Sequence, residues 1–251
     1  MRLFSLFLFF ACLHIPSFAQ FKSDLQKLKL KGKVQTLEES EYSDKRKLMA
    51  RFKYTFDTRG NIVKLTRDEG VGEKYCVTKY KYDSKGKINE QVDSGSGGFR
   101  YFKFDVKPTP KGFVLQSDLT DNEHKDRDKR IISRFDANYN ELNHTTYDKK
   151  GGVVGEQDYT YDQKNNLVQE TWIDSDGISY NQLTYRYNNE GNPVEKKVYA
   201  MKPTIKTERS HLIKSELMTY VEFDKMGNWL KKNSVEDTIV KKVVERVITY
   251  Y

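Results

Sequence analysis

The chain has 251 residues, of which 44 are Lys or Arg and 36 are Asp or Glu, giving a net charge of +8. Hydrophobic residues make up 37% of the chain and aromatic residues 13%. This composition supports a folded core and excludes an intrinsically disordered chain. The sequence contains no nucleophile elbow, phosphate-binding loop or zinc-ligand spacing. We therefore expect neither an enzyme nor a bound cofactor or metal.

The N-terminal segment differs in kind from the rest of the chain. A basic residue at position 2 precedes the apolar run Leu3–Leu13, and Ser17 and Ala19 place small residues at positions −3 and −1 of a cut after residue 19. This order is typical of a secretory signal peptide. A lipidation site at Cys12 is disfavoured because the large Phe10 precedes it closely and the apolar run continues beyond it.

Cleavage of residues 1–19 leaves a single predicted domain, residues 20–251, with a net charge of +7 because the segment carries one Arg and no acidic residue. The apolar run is shorter than the about 20 residues of a spanning helix, so we interpret it as part of the signal peptide and not as a membrane anchor. We expect no transmembrane segment after cleavage. We expect an exported protein in the periplasm, at the outer-membrane periphery or at the cell surface. Cys12 leaves with the signal peptide, so Cys76 has no intrachain disulfide partner.

A short motif recurs along the chain. Its order is an aromatic residue, Asp or Asn, two variable positions, and Gly or Asn, and good copies lie in residues 54–63, 80–88, 159–168, 185–194 and 223–230. Weaker copies begin at Phe104-Asp105, Phe135-Asp136 and Tyr147-Asp148. The distance from Asp57 to Asp83, and from Asp136 to Asp162, is 26 residues in each case. A constant period of this size indicates a repeated unit of secondary structure.

Each copy of the motif predicts a β-hairpin. Alternation places Tyr54 and Phe56 on one face of a strand and Lys or Thr on the other. The Asp side chain caps the turn, and Gly three positions later takes the left-handed conformation, a place that Asn165 also tolerates. The residues predicted to build these turns are Asp57, Gly60, Asp83, Gly86, Asp136, Asp162, Asn165, Gly191, Asp224 and Gly227.

The period predicts an all-β fold. A turn about every 13 residues gives an antiparallel up-and-down meander of about sixteen strands between Val34 and Tyr251, as an extended twisted sheet or a partly closed barrel. A capping-box pattern predicts a short N-terminal helix over Ser23–Leu30 that packs on a sheet end. The segments Val106–Pro110 and Met201–Ser215 depart from the repeat, and each predicts a loop or an insertion.

The Tyr-x-Tyr-Asp-x-x-Gly-Asn unit resembles the YD repeat of the RHS family. The opening Leu30-Lys-Gly32-Lys-Val34, followed by repeats, is similar to small exported RHS-repeat proteins of the Bacteroidetes, and the resemblance covers residues 30–251. In large members of that family the strands wind into a shell around a toxin. This chain is too short to enclose one, so the resemblance implies an architecture and no toxin activity.

An open meander leaves sheet edges that pair with other chains. Together with export, this predicts a non-enzymatic binding or structural protein of the cell envelope that docks on another envelope protein. One specific version is an accessory or plug subunit of an outer-membrane transport complex. Lys residues that alternate with aromatics suggest an acidic glycan as a further partner. Export argues against nucleic acid as a partner.

The alternative function is carbohydrate binding, with or without glycoside hydrolysis. The candidate stacking residues on a sheet face are Trp172, Tyr185 and Trp229. A cleft that holds two carboxylates beside exposed aromatics favours this alternative. If the aromatics are core residues instead, we expect Tyr54, Tyr80, Tyr161 and Tyr187 to face the interior.

Overall fold

The computed structural model describes residues 23–68, 75–95, 98–121, 129–200 and 211–251. The expected signal peptide and its cleavage site lie outside these residues. The described chain forms a helix, α1 (Asp24–Lys27), and sixteen strands: β1 (Val34–Ser43), β2 (Leu48–Phe56), β3 (Ile62–Asp68), β4 (Tyr75–Tyr82), β5 (Ile88–Gly95), β6 (Gly98–Thr109), β7 (Gly112–Asp121), β8 (Lys129–Asp136), β9 (Glu141–Tyr147), β10 (Val153–Tyr161), β11 (Leu167–Asp174), β12 (Ser179–Tyr187), β13 (Pro193–Ala200), β14 (His211–Phe223), β15 (Trp229–Glu236) and β16 (Ile239–Tyr250). Within the described ranges, no helix has the length and apolar character needed to cross a membrane.

The sheet is a closed barrel. Each strand pairs antiparallel with its neighbours along the chain, and β1 pairs with β16 from Val34 opposite Tyr250 to Ser43 opposite Lys242. The predicted meander of about sixteen antiparallel strands is confirmed, and its closure is complete. Because β1 and β16 satisfy each other, the strands that the structure describes leave no free sheet edge. The expectation that open edges pair with another chain is therefore wrong.

The most buried side chains lie at the seam where the barrel closes. Leu37 of β1 stands opposite Ile248 of β16 and Tyr54 of β2. Val34 and Leu37 have no exposed surface, and they form a cluster with Phe56 and Leu30, which precedes β1. Burying a side chain of this size contributes roughly 1.5–3 kcal/mol, so this cluster stabilises the one pairing that local sequence does not provide.

Strand alternation separates an aromatic interior from a charged outer wall. On β2, Ala50 and Phe56 are buried on the inner face, whereas Arg51 and Lys53 are exposed on the outer face. Ion pairs join neighbouring strands across the outer wall: Lys81 to Glu90 at 2.7 Å, Arg130 to Asp118 at 3.3 Å and Arg186 to Glu195 at 3.3 Å. The inner face of the sheet thus encloses a lumen, and the outer face is exposed.

The repeated turns share one hydrogen-bond pattern. In the first, the Gly60 amide donates to the Asp57 carbonyl at 2.9 Å, and the Asn61 amide donates to the Asp57 carboxylate at 2.9 Å. Gly60 has φ 86° and Asn165, at the equivalent place, φ 60°. The same bond to the carbonyl of the leading residue recurs in the turns led by Asp83, Asp136, Asp162, Asn188 and Asp224, and at the opposite end of the barrel in those led by Asp148 and Asp174.

Three local expectations differ from the structure. The helix spans Asp24–Lys27 alone, because Lys29 adopts φ 55° directly after the C-cap and ends it. The Phe104-Asp105 copy starts no turn, and β6 runs on to Thr109. The predicted loops are wrong where the structure describes them. Pro108 pairs with Phe113 beside the turn, a strand-end place where its missing N–H is tolerated. Residues 211–215 belong to β14, and residues 201–210 lie outside the described residues.

The seam predicts a strong contrast between two equal truncations. Leu37→Ala removes a fully buried side chain and we expect it to lower the free energy of unfolding by about 2–5 kcal/mol. Leu217→Ala removes an outer-wall side chain that is 46% exposed, and we expect a loss of about 0.5 kcal/mol. Urea unfolding followed by circular dichroism measures both. Similar losses for the two variants would contradict the seam as the stabilising cluster.

Candidate functional site

A segment before the first strand crosses one end of the barrel. We call residues 23–33 the cap segment and the end where β2 turns into β3 the turn end. The Leu25 amide donates to the Gly60 carbonyl at 3.0 Å, and the Asp24 carboxylate accepts from the Tyr82 hydroxyl at 3.0 Å. Farther along, the Lys29 ammonium donates to the Gly191 carbonyl at 3.0 Å. The cap segment therefore bridges hairpins that are distant in the chain.

Four buried asparagines occupy equivalent places at the turn end, and Asn166 and Asn228 also bind the cap segment. We call Asn61, Asn140, Asn166 and Asn228 the turn asparagines; each follows the left-handed residue of its turn and is 4–7% exposed. Each side-chain amide donates to the carboxylate of the Asp that opens its own turn, at 2.8–3.2 Å. Asn228 also binds the backbone of Lys31 in both directions, at 2.7 and 3.0 Å. The sequence motif contains this Asn, but no local pattern indicates what its side chain binds.

Three inward tyrosines each connect a hairpin to the one before it. The Tyr82 hydroxyl donates to the Ile62 carbonyl at 3.0 Å, Tyr187 to that of Leu167 at 2.7 Å and Tyr220 to that of Pro193 at 2.8 Å. Each acceptor lies at the beginning of a return strand. Tyr82 and Tyr187 are the second aromatics of their motif copies, whereas Tyr220 lies three residues before Phe223, and all three have the same structural role inside the lumen.

Beneath the cap segment lies a cavity of about 790 Å³, which we call the lumen cavity. Its wall is made by the cap segment and by inward side chains of β8 to β16. The aromatic part includes Tyr161, Tyr187, Tyr220 and Trp229. The polar part includes the turn asparagines Asn140 and Asn166 and several cationic side chains. Aromatic walls with a few converging polar groups are typical of small-molecule sites.

Charged side chains inside the lumen surround Trp229. The Arg246 guanidinium lies 3.3 Å from the centre of the indole ring and pairs with Glu39 at 2.7 Å. Lys242 pairs with Glu41 at 3.4 Å. The Lys232 ammonium lies 5.1 Å from the same ring. Burial, followed by the nearby charge of Lys242, lowers the pKa of Lys232.

The three residues proposed for glycan stacking do not share one site. Trp229 lines the lumen cavity, but Arg246 occupies a face of its ring. Trp172 lines a second cavity of about 190 Å³ together with His144 and Gln157. Tyr185 does not line either cavity, and its hydroxyl donates to Glu170 at 2.8 Å. All three lie on inward positions, where alternation also places the repeat tyrosines.

No protein-family model and no curated protein matches the chain, so the resemblance to RHS-repeat proteins stays a prediction. A porin-like protein from Bacteroides uniformis ATCC 8492 is similar in structure at 10% identity and a TM-score of 0.40, covering 86% of this chain and 98% of that one. A porin-like protein from Bacteroides vulgatus ATCC 8482 gives 12% identity, a TM-score of 0.36, and 87% and 98% coverage. Likeness at this level carries no inference about function.

Two turn glycines separate the effect of the cap segment from that of backbone strain. Gly60 and Gly86 have φ 86° and 80°, so alanine at either place is strained by about 1 kcal/mol. A Cβ on residue 60 also meets Leu25 at 2.9 Å, whereas one on residue 86 meets nothing within 4 Å. We expect Gly60→Ala to cost about 1–2 kcal/mol more than Gly86→Ala, because it displaces the cap segment.

Urea unfolding gives the two stability losses, and hydrogen exchange at the Leu25 amide shows whether the cap segment loosens. We expect faster exchange in Gly60→Ala and no change in Gly86→Ala. Equal losses with unchanged exchange would mean that the cap segment is not held at this turn.

The inward tyrosines predict loss of stability in alkali. Burial raises the pKa of Tyr54, Tyr80, Tyr161 and Tyr187 to about 12, from an ordinary value of 10.0. The unfolded chain therefore loses these protons first, and stability declines as the pH rises from about 10 to about 12. Thermal unfolding across this range measures the decline. We expect Tyr80→Phe to make it shallower, and an unchanged slope would contradict the assignment.

Proposed function

We propose that this protein is an exported, non-enzymatic carbohydrate-binding protein that holds its ligand in the lumen cavity. The observation that carries the proposal is the lumen cavity itself, about 790 Å³ with aromatic and hydrogen-bonding walls. This volume lies within the roughly 300–1,000 Å³ of known ligand pockets, enough for a short oligosaccharide.

The wall chemistry supports a sugar as the ligand. Tyr161, Tyr187 and Tyr220 line the cavity with aromatic rings, and Asn192 and Lys232 add hydrogen-bonding groups. A sugar has apolar C–H faces and many hydroxyls, so it is complementary to tyrosine and amide side chains together. Since the strands of a closed barrel carry the ring-bearing part of the wall, and hydrogen bonds fix the cap segment and the turns, the ligand site is largely preformed.

We further propose that the barrel stands in the aqueous part of the cell envelope, in the periplasm or at the periphery of the outer membrane. Its outer wall carries charged side chains on many strands, including Arg51, Lys81, Arg130 and Arg186. Each Lys or Arg at the middle of a bilayer costs a transmembrane barrel about 2–4 kcal/mol. A carbonate wash of membranes tests this location: we expect release of the protein, and retention with integral proteins would overturn it.

The ligand proposal is tested by titrating residues 20–251 with a panel of neutral and acidic oligosaccharides in isothermal titration calorimetry. We expect at least one sugar to bind. Tyr161→Leu, in the cavity wall, should weaken that binding about 3- to 10-fold through lost ring contact. Tyr199→Leu is the matched control on the outer wall and should bind like the parent. Absence of binding across the panel, or equal effects of the two variants, would contradict the proposal.

A second candidate function is docking on another envelope protein. On the outer wall Leu217 of β14 stands opposite Val235 of β15, which stands opposite Val240 of β16. Leu217 is 46% and Val240 38% exposed, and Ile213 nearby is 58% exposed. A contiguous apolar row of this kind is a feature of protein-binding surfaces. The proposed docking surface is therefore this apolar row and not a sheet edge. The same surface supports docking as an accessory subunit of an outer-membrane transport complex.

Crosslinking in intact cells tests the docking candidate. A C-terminal tag on the chain recovers the partners of the parent protein and of a Leu217→Asp, Val240→Asp variant, with Thr219→Asp as an outer-wall control. We expect a single stoichiometric envelope protein that is lost in the double variant alone. Recovery of a free monomer from the parent would overturn this function.

A further inference from the structure

Lys232 differs in its surroundings from Arg246, the other strand cation that lines the lumen cavity. It lies on β15 with Tyr220 opposite it on β14 and Val244 opposite it on β16. Both Tyr220 and Lys232 line the lumen cavity. Its side chain is half-buried, and its ammonium lies 5.1 Å from the centre of the Trp229 ring, within cation–π distance. The ammonium therefore meets the cavity without a close anionic group.

The carboxylates nearby are already engaged. Glu39 pairs with Arg246 at 2.7 Å and Glu41 with Lys242 at 3.4 Å. Among the residues that the structure describes, no carboxylate oxygen comes within 4.0 Å of the Lys232 ammonium. Glu39 and Glu41 favour its charged form from farther away, whereas Lys242 and Arg246 disfavour it. Charges withdrawn from water are ordinarily paired, so an unpaired one facing a cavity points to a ligand.

The lumen cavity as a whole is also cationic. Among its described lining residues one carries a negative charge, Glu141, and five carry a positive charge: Lys27, Lys29, Lys164, Lys232 and Arg246. Walls of one sign around a space of low polarity concentrate ligands of the opposite sign. Lys27 pairs with Asp24 at 3.0 Å and Arg246 with Glu39 at 2.7 Å, so the lining keeps a smaller excess of positive charge, which favours an anionic ligand.

We propose that Lys232 binds the carboxylate of an acidic sugar, such as a uronic acid, in the lumen cavity; this inference rests on the proposed carbohydrate-binding function. The carboxylate forms an ion pair with the ammonium beside Trp229, while the sugar ring lies against the tyrosine wall. Arg246 keeps Glu39 as its partner and holds the indole in place. A neutral sugar of the same shape leaves the ammonium unpaired and binds more weakly.

Iodide quenching of Trp229 tests the anion site independently of the sugar. The chain has two Trp residues, so Trp172→Phe leaves Trp229 as the reporter. We expect iodide to quench it strongly, and Lys232→Met in the same background to reduce the quenching constant about fivefold, the ratio for one ion pair in aqueous surroundings. Quenching by neutral acrylamide should not change. Lys231→Met, on the outer wall and paired with Glu222 and Glu245, is the matched control.

The sugar part of the inference is tested with digalacturonate and its neutral counterpart, digalactose, by calorimetry. We expect the acidic disaccharide to bind about 10- to 100-fold more tightly than the neutral one, as for a hydrogen bond to a charged group. Lys232→Met should abolish that preference and Lys231→Met should keep it. Since the substitution removes an unpaired charge and keeps the side-chain stem, it should not impair folding.

The outcomes separate the two proposals. Equal binding of both disaccharides, or a preference that survives Lys232→Met, overturns the carboxylate site and leaves carbohydrate binding intact. Failure of every sugar to bind overturns the proposed function, and with it the sugar as the source of the anion. Iodide quenching that does not respond to Lys232→Met overturns the anion site whatever the sugars do.

Discussion

The pairing of β1 with β16 is the constraint on which the rest of the molecule depends. Until these two strands meet, the sheet has two edges and two solvent-exposed faces. Once they pair, one face encloses a lumen and the other becomes an outer wall. The inward tyrosines, the lumen cavity and the charged residues around Trp229 acquire their surroundings from that single event. Leu37 and Val34, both fully buried at the seam, supply the apolar contact that holds it.

Closure of the barrel also gives the inward tyrosines and the turn asparagines two roles each. Tyr187 tightens the barrel through a bond to the Leu167 carbonyl and at the same time forms part of the cavity wall. The turn asparagines likewise complete their own hairpins, and Asn228 binds the cap segment as well. Side chains of the repeat therefore stabilise the hairpins and at the same time line the lumen or bind the cap segment.

The fold was more predictable than the site, and the reason is the range of the interactions. A turn motif at a 26-residue period is a local signal, so strand number and direction follow from it. Pairing of Glu39 with Arg246 joins residues 207 positions apart, which no local pattern reveals. Trp172, Tyr185 and Trp229 looked equivalent as isolated aromatics, but closure distributes them among different surroundings. The turn asparagines lay within the motif, and only the three-dimensional structure shows what they bind.

The seam has a consequence for how the chain reaches its native state. Its first strand can find its partner only when the last strand is present, so almost the whole sequence must be held in a loop before the ends join. Such topologies fold slowly because the entropy of closing the loop is lost before the contacts compensate. During that interval β1 has an unpaired edge, a state prone to association with other chains. For the exported protein proposed above, every copy passes through this state before the barrel closes.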